Sequence, residues 1–297
     1  MNKVKVITDS CSDLTVELLE KYDIDYAKMN TVFEGKTSPA LLEWTAEDVH
    51  SFYEVMRNGN RFTTTQVPVD EYQQLFTKYL DQGMDIIYIG CCTKQSGSVN
   101  TATVLSKTLM EKYPGSKIYC IDSLNACIGE GMLAIEAAKL AAAGKSADEI
   151  NDYILPIRKT VNEFVTVHTL EWLRKAGRVK ATAAFFGNLM GVKPILVADK
   201  EGNQAAYKKV KGRQTSIKEV VALMKANIKD AENQTIYLAH SDCNADDVNQ
   251  LKELVMSEIK PKDIYVSYIG PIIGASVGPD TIGIWAFGNE VTFTPGA

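Results

Sequence analysis

Four short groups of hydroxyl-bearing residues stand where chemistry could occur in this sequence. They are rich in Ser and Thr and poor in permanent charge, and they are Thr8-Asp9-Ser10, Thr63-Thr64-Thr65-Gln66, residues 93–98 and Asp122-Ser123. Neutral hydroxyls can donate hydrogen bonds to an oxyanion. Ser96-Gly97-Ser98 also precedes a helical pattern, where free N–H groups and the helix dipole favour a carboxylate or phosphate. Each group, taken alone, could equally cap a helix or shape a turn.

Motifs for other chemistries are weak. Gly129-x-Gly131 lacks the third glycine of a dinucleotide loop, and Gly144-Lys145-Ser146 lacks the upstream glycine of a phosphate loop. The histidines (His50, His168 and His240) are far apart, and the six cysteines show no Cys-x-x-Cys spacing, so no metal site is predicted. Asp9 and Asp122 could form a carboxylate pair, although aspartates that cap a loop at a strand end are the commoner outcome. That pair keeps open an enzyme, for instance a small-molecule kinase or transferase, that uses the same loops.

The elements around these groups alternate between strand and helix in the first half. Apolar runs predict strands at residues 4–8, 85–90 and 117–122. Helical patterns cover residues 13–22, capped by Ser12, and 98–113. Such alternation favours a parallel sheet with helices on both faces. The carboxyl ends of its strands share one edge, where ligands bind in sheets of this kind.

The pattern changes after a capping box at Ser146-Ala-Asp-Glu149. Further strands are predicted at residues 164–168, 192–198, 205–210, 236–240, 264–269 and 281–287. Helices are predicted at residues 171–175 and 246–259, and another opens at a capping box beginning with Ser216 and ends near residue 229. We therefore expect an α/β protein with a Rossmann-like parallel-sheet domain (1–160) and a mixed-sheet α/β domain (161–297).

Composition narrows the function further. The chain has 297 residues, 45% of them hydrophobic, and a net charge of -5. That balance gives no basic surface for nucleic acid. No run of ~18 uncharged apolar residues occurs, so we expect no stable membrane insertion and a cytoplasmic protein with reduced, buried thiols.

The order of several segments carries a family resemblance. In the first half they are Val6-Ile-Thr-Asp-Ser10 with Asp13-Leu14, Thr64-Thr-Gln66, Ser96-Gly-Ser98 with Ala102, and Ile121-Asp-Ser123 with Gly129-Glu-Gly131. In the second half they are Leu170-Glu-Trp-Leu-Arg-Lys-Ala-Gly-Arg-Val179, Gly187-Asn-Leu-Met-Gly-Val-Lys-Pro-Ile-Leu196, Lys209-Val-Lys-Gly-Arg213, Ile269-Gly-Pro271 and Gly274-Ala-Ser-Val-Gly-Pro279. Any one of these is a weak signal, but the ordered set closely resembles the DegV family, fatty-acid-binding proteins that serve bacterial fatty acid kinase.

The resemblance implies a carrier and not an enzyme. A long-chain fatty acid such as palmitate would lie in a buried cavity between the two domains, with its carboxylate held by Thr64 and Ser96. The resemblance also places five residues in the ligand pocket: Thr65, Gly97, Ser276, Val277 and Gly278. A separate kinase, similar to dihydroxyacetone kinase, would phosphorylate the carboxylate, and Arg178 and Lys211 would face that partner or its phosphate. No cofactor and no metal is implied.

This chain departs from the family pattern at three places. Ser276 stands where the family commonly has histidine, Lys211 where it has arginine, and Val67-Pro68 where it has Pro-Ser. Lysine cannot make the bidentate contacts of arginine, so a phosphate contact at Lys211 would be weaker. A regulatory partner protein without a ligand is the third reading of the sequence, beside the carrier and the enzyme.

Overall fold

A computed structural model describes residues 2–185 and 191–295, which form two compact units. The first contains residues up to Glu43 together with Thr64–Arg158, and the second contains Trp44–Thr63 and the residues from Lys159 onward. The thirteen strands and ten α-helices of these residues are, in chain order, β1 Val4–Asp9, α1 Val16–Tyr22, β2 Ile24–Ala27, β3 Asn30–Phe33, β4 Lys36–Pro39, α2 Ala46–Arg57, β5 Thr63–Thr65, α3 Val69–Leu80, β6 Asp85–Gly90, α4 Ser98–Lys112, β7 Ile118–Asp122, α5 Ile128–Ala142, α6 Ala147–Ile157, β8 Val161–Thr166, α7 Glu171–Ala176, β9 Val192–Ala198, β10 Gln204–Lys211, α8 Arg213–Asn227, β11 Thr235–His240, α9 Ala245–Glu258, β12 Asp263–Tyr268, α10 Pro271–Val277 and β13 Ile282–Phe287.

The first unit is built on a parallel sheet with the strand order β2-β1-β6-β7. All six residues of β6 are buried. Successive side chains of a strand point to opposite faces, so both faces of this sheet are covered. The predicted parallel α/β architecture is therefore confirmed.

A second, three-stranded sheet of the order β4-β3-β5 was not predicted. Its strands are only three or four residues long and largely polar, so they carry no apolar periodicity. Strand β5 includes Thr64 and Thr65, and the Asn30 side chain of β3 donates a hydrogen bond to Thr65 Oγ1 at 3.3 Å. The sheet thus anchors the threonine segment to the first unit.

The second unit contains a six-stranded mixed sheet, as predicted. Its order is β10-β9-β8-β13-β11-β12, and only the β11–β12 pair is parallel. Buried residues of α8 and α9 form one core with this sheet, among them Val220, Met224, Leu251 and Val255. Strands β9 and β10 pair as an antiparallel hairpin, and their bounds agree closely with the strands predicted at residues 192–198 and 205–210.

Helix α2 belongs to the second unit, although it lies early in the chain. The predicted division at residue 160 assigns residues 44–63 to the first domain. In the structure Tyr53 is fully buried, and its hydroxyl donates to the Ile269 carbonyl oxygen at 2.7 Å. Arg57 forms ion pairs with Asp242 and Asp280 at 2.6 and 3.1 Å. These contacts join residues about 200 positions apart, so no local sequence pattern predicts them.

Three predicted starts of elements were wrong. Helix α1 starts at Val16 and is capped by Thr15, because Asp13 adopts a left-handed conformation after a short 3-10 turn. Helix α8 starts at Arg213, and the Ser216 hydroxyl donates to the Arg213 carbonyl oxygen where a capping role was expected. Strand β8 begins at Val161 and not at residue 164.

Among residues 2–185 and 191–295, no helix is both long and apolar enough to cross a membrane.

Glu163 is a buried carboxyl group within the mixed sheet. It lies on β8, where the Trp285 indole N–H donates to Oε2 at 3.0 Å and the Gln204 amide donates to Oε1. Burial raises its pKa to about 7, although both donors oppose the rise. Gln204 Oε1 is itself buried without a hydrogen-bond partner. The folded state therefore favours the neutral acid at Glu163.

We expect the free energy of unfolding to decrease as the pH rises from about 5 to about 8 because of Glu163. Its pKa is about 7 in the folded state and 4.5 ordinarily. Over this range the folded state keeps a proton that the unfolded state has lost, which amounts to about 2–3 kcal/mol. Glu163→Gln should flatten this part of the curve in urea denaturation, whereas the exposed control Glu253→Gln should not. An unchanged slope in Glu163→Gln would contradict the assignment.

Candidate functional site

The turn Ser96-Gly97-Ser98 follows β6 and starts α4. Gly97 is the N-cap and Ser98 is the first helical residue. Ser96 Oγ accepts the Ser98 N–H at 3.3 Å and lies 3.0 Å from Ser98 Oγ. This confirms that the turn opens a helix, as the sequence predicts. Because the first N–H groups of a helix lack partners within it, the turn presents donors at the carboxyl end of the sheet.

Residues 64–67 lie directly against this turn. The Val67 N–H donates to Ser98 Oγ at 3.3 Å, and the Gln66 amide donates to Thr101 Oγ1 at 3.0 Å. A Cβ atom added to Gly97 would lie 2.2 Å from Gln66 Oε1, so glycine permits the close approach. The segments that carry Thr64 and Ser96 are therefore neighbours within the first unit.

The hydroxyls of these two segments differ in how far they are engaged. Thr64, Ser96 and Gly97 are partly buried. Thr65 is exposed; it accepts from Asn30 and donates to the Gln66 carbonyl oxygen, both at 3.3 Å. Within the described part of the chain, Ser96 Oγ forms hydrogen bonds only with Ser98 of its own turn. Thr64 and Ser96 as carboxylate ligands remain a prediction.

Below the turn, a chain of buried groups leads to Asp9. The Tyr88 hydroxyl donates to Asp9 Oδ2 at 2.7 Å and lies 2.6 Å from the Tyr72 hydroxyl, which also interacts with Ser98. The backbone N–H groups of Cys11 and Cys91 donate to Asp9 at 2.9 and 3.2 Å. Asp9 is thus an acceptor for all three, which fixes Tyr88 as a donor and Tyr72 as the donor to Tyr88.

The direction of these hydrogen bonds, from Tyr72 through Tyr88 to Asp9, has a consequence for Ser96. Ser98 Oγ accepts from Val67 and can direct its own proton to Tyr72. With the Ser98 proton directed to Tyr72, the Ser96 O–H is the donor in the 3.0 Å contact between the two serine hydroxyls. It can be turned toward a bound oxyanion only by leaving Ser98 Oγ.

The carboxylate that accompanies Asp9 is Glu130 and not Asp122. Glu130 lies in the first turn of α5 and accepts from Thr8 Oγ1 at 2.8 Å. Burial, and next the charge of Asp9, raise the pKa of Glu130. Asp122 accepts from Thr93 and from the Leu124 N–H, as a loop-capping residue does. Of the two outcomes that the sequence leaves open for Asp122, the structure shows the loop-capping one and not a pair with Asp9.

A signal for Glu130 exists in the sequence. Residues 128–135 read Ile-Gly-Glu-Gly-Met-Leu-Ala-Ile, and a helix that is apolar all round is buried. A single acid inside such a helix must be buried with it. Its partners lie more than 100 positions away, so the sequence does not identify them.

The predicted pocket residues of the second unit lie at the end of α10. Ser276 is partly buried, Val277 is 8% exposed, and Gly278 is buried with φ 78°. Ser276 therefore lies in the last turn of a helix. A Cβ atom on Gly278 would lie 2.2 Å from Trp172 Cδ1, so this glycine lets α10 pack tightly on α7.

The two predicted cations are both exposed. Arg178 follows the helix-ending Gly177, and its Nη1 donates to the Ala176 carbonyl oxygen. Lys211 ends β10. Lys193 Nζ also lies 3.0 Å from His168 Nδ1, a contact that the sequence does not predict. Burial and the nearby Lys193 lower the pKa of His168, so its ring acts as an acceptor.

Part of the longest family-like segment, residues 186–190, lies outside the described residues. Its last part is β9, and its preceding segment is α7 with the Gly177 cap.

The fold and this hydroxyl-rich sheet edge define an α/β protein of two units that has relatives of known structure. The family model described as "Uncharacterised protein, DegV family" matches residues 3–289. The chain therefore belongs to the DegV family, as its segments indicated. Two DegV domain-containing proteins of Clostridium perfringens are 32% and 30% identical to it, each aligned over 97% of this chain and 99% of the relative.

Solved structures agree with this assignment. A DegV lipid binding protein from Thermotoga maritima has a TM-score of 0.83 and 26% identity, over 98% of this chain and all of that one. DegV from Bacillus subtilis, described as a fatty acid binding protein, has a TM-score of 0.83 and 26% identity, over 97% of this chain and all of that one. These likenesses confirm the α/β fold class.

We expect Ser98→Ala to destabilise the protein by about 1–3 kcal/mol, the cost of a buried donor left unpaired. The variant removes the acceptor of the Val67 N–H, and Val67 is fully buried. Ser106→Ala is the matched control, because Ser106 is also buried on α4 and its hydroxyl donates to the Thr103 carbonyl oxygen of its own helix, away from residues 64–67. Urea denaturation of both variants provides the measurement. Equal losses would show that Ser98 does not hold residues 64–67.

Proposed function

We propose that this protein binds a long-chain fatty acid and presents its carboxylate to a separate fatty acid kinase, without catalysing a reaction alone. The observation that carries the proposal is the contact of residues 64–67 with the turn Ser96-Gly97-Ser98 at the carboxyl end of a parallel sheet. Lipid or fatty acid binding by the related proteins of T. maritima and B. subtilis supports it.

In this proposal Thr64 and Ser96 hold the carboxylate. Thr65 and Gly97 border it, and Ser276, Val277 and Gly278 contribute to a buried cavity for the ligand, as the family resemblance implies. Neutral hydroxyls suit a carboxylate that must afterwards react. They satisfy its oxygens, which would be costly to bury unpaired, and they do not hold it in a tight ion pair.

The acyl chain supplies most of the affinity. About fourteen methylenes at ~0.8 kcal/mol each give roughly 11 kcal/mol before costs. Association and ordering subtract ~4–15 kcal/mol, so the head-group contacts decide orientation more than strength. In the proposal the protein carries its fatty acid in the cytoplasm and acts in lipid transport or fatty acid metabolism. The proposal requires no cofactor.

We expect a fatty acid to copurify with the protein in a ratio near one to one. Solvent extraction followed by mass spectrometry identifies it. Thr64→Val combined with Ser96→Ala should weaken binding of a fluorescent fatty acid about 100-fold, because two donors to a charged group are lost. Ser276→Ala should cost no more than about tenfold, the worth of one neutral hydrogen bond. Ser106→Ala serves as the control for both.

Two results would contradict this assignment. A nucleotide in the extract, with no fatty acid, would favour an enzyme. A larger loss from Ser276→Ala than from the double variant would place the head group at the end of α10.

We expect Arg178→Ala to leave fatty-acid affinity within about twofold while lowering turnover with the kinase at least tenfold. In the proposal Arg178 meets the acyl phosphate or the partner's phosphate, and Lys211 plays a lesser part as a single-point charge. Lys211→Ala is the comparison. If Arg178 serves only to cap α7, its replacement will lower the free energy of unfolding and leave turnover per folded molecule unchanged.

A further inference from the structure

Three groups able to bind a metal meet in the interior of the first unit. The Cys11 and Cys91 sulfur atoms and a carboxylate oxygen of Glu130 all lie within 4.8 Å of one another. The two cysteines are 2% exposed and Glu130 is 0% exposed. Two thiols and a carboxylate form a donor set that zinc prefers.

Distant parts of the chain bring the three groups together. Cys11 lies in the 3-10 turn after β1, Cys91 follows β6 directly, and Glu130 lies at the start of α5. The Asp9 carboxylate accepts the backbone N–H groups of both cysteines, which makes Asp9 a positioning residue for the pair. A Cβ atom on Gly131 would lie 2.8 Å from the Ser12 carbonyl oxygen, so glycine lets α5 approach the Cys11 turn.

A second observation points to a ligand at this place. Glu130 Oε1 accepts from Thr8, but Oε2 is buried and forms no hydrogen bond with any described residue. A carboxyl oxygen in that state carries an uncompensated desolvation cost. A cation bound to Oε2 would remove this cost. Met29 Sδ lies 3.9 Å from Cys11 Sγ and offers a soft fourth donor.

The other candidate group within the described chain does not share these features. His50, Glu54 and Asp242 also lie close together, but His50 is exposed. The Arg57 guanidinium already binds both Glu54 and Asp242, at 2.9 and 2.6 Å. That group therefore has its cation within the protein.

We propose that Cys11, Cys91 and Glu130 bind one zinc ion, or another thiophilic divalent cation, with Met29 beside the fourth position. The two thiols each lose a proton to solvent and bind as thiolates, and Glu130 binds through Oε2. The site is structural, because all three of its ligands are buried. The metal ion binds as the chain folds. It joins the ends of β1 and β6 to α5 beneath the turn Ser96-Gly97-Ser98.

Metal content and a cobalt spectrum test the proposal on the full chain. The protein is unfolded with a reductant and a chelator, then refolded anaerobically with Zn²⁺ or Co²⁺ alone. We expect about one metal per chain by elemental mass spectrometry, and sulfur-to-cobalt charge-transfer absorption in the Co²⁺ form. Glu130→Gln should weaken binding at least tenfold while that absorption remains at saturating Co²⁺. Cys120→Ser, a thiol outside the group, should match the unmodified protein.

A readout on the unmodified chain covers the case in which cysteine variants fail to fold. Zn²⁺ should protect Cys11 and Cys91 from alkylation during partial unfolding at least tenfold, and should leave Cys120 unprotected, as peptide mass spectrometry measures. Absence of bound metal after refolding would overturn the proposal. So would equal protection of all three cysteines, or charge-transfer absorption that survives in the double variant Cys11→Ser with Cys91→Ser.

Discussion

One buried carboxylate, that of Asp9, organises the functional edge of the first unit. It accepts hydrogen bonds from the backbone N–H groups of the residues that follow β1 and β6 and from the Tyr88 hydroxyl. Burial raises the pKa of Asp9, and the hydrogen bonds from its three donors oppose that rise. The hydrogen bonds at the ends of β1 and β6, and the direction of donation from Tyr72 through Tyr88 to Asp9, both follow from it.

The same carboxylate explains why polar residues of two kinds lie so close together. On the outer side are neutral hydroxyls that suit an oxyanion. On the inner side are the two thiols and the second acid, Glu130, which in the proposed metal site bind a cation. The Asp9 oxygens accept from the backbone N–H groups of Cys11 and Cys91 and from the Tyr88 hydroxyl. Loss of Asp9 would therefore disturb both sides at once, while loss of Glu130 would disturb only the inner one.

The sequence predicts the parallel sheet well and the connections poorly. Strands β1 and β6 are buried on both faces and β7 is buried in part, so all three consist largely of apolar residues that can be recognised without knowledge of the fold. Strands β3, β4 and β5 are short, polar and held by their neighbours, so nothing local marks them. In the candidate site, the sequence alone predicts that the hydroxyl groups lie near one another, because the ends of parallel strands share one edge of the sheet. Glu130 could not be placed, because its partner Thr8 is 122 positions away.

Helix α2 makes the second unit discontinuous in sequence, and this bears on how the protein is made. The Tyr53 hydroxyl donates a hydrogen bond to the carbonyl oxygen of Ile269, which lies 216 positions later in the chain. Tyr53 therefore leaves the ribosome long before its partner. At synthesis rates of about 5–20 residues per second, that interval is roughly 10–40 s. During it the apolar face of α2 lacks its final partners, so the nascent chain carries an exposed helix through the folding of everything between. A molecule cut after residue 158 would keep that helix permanently without its core.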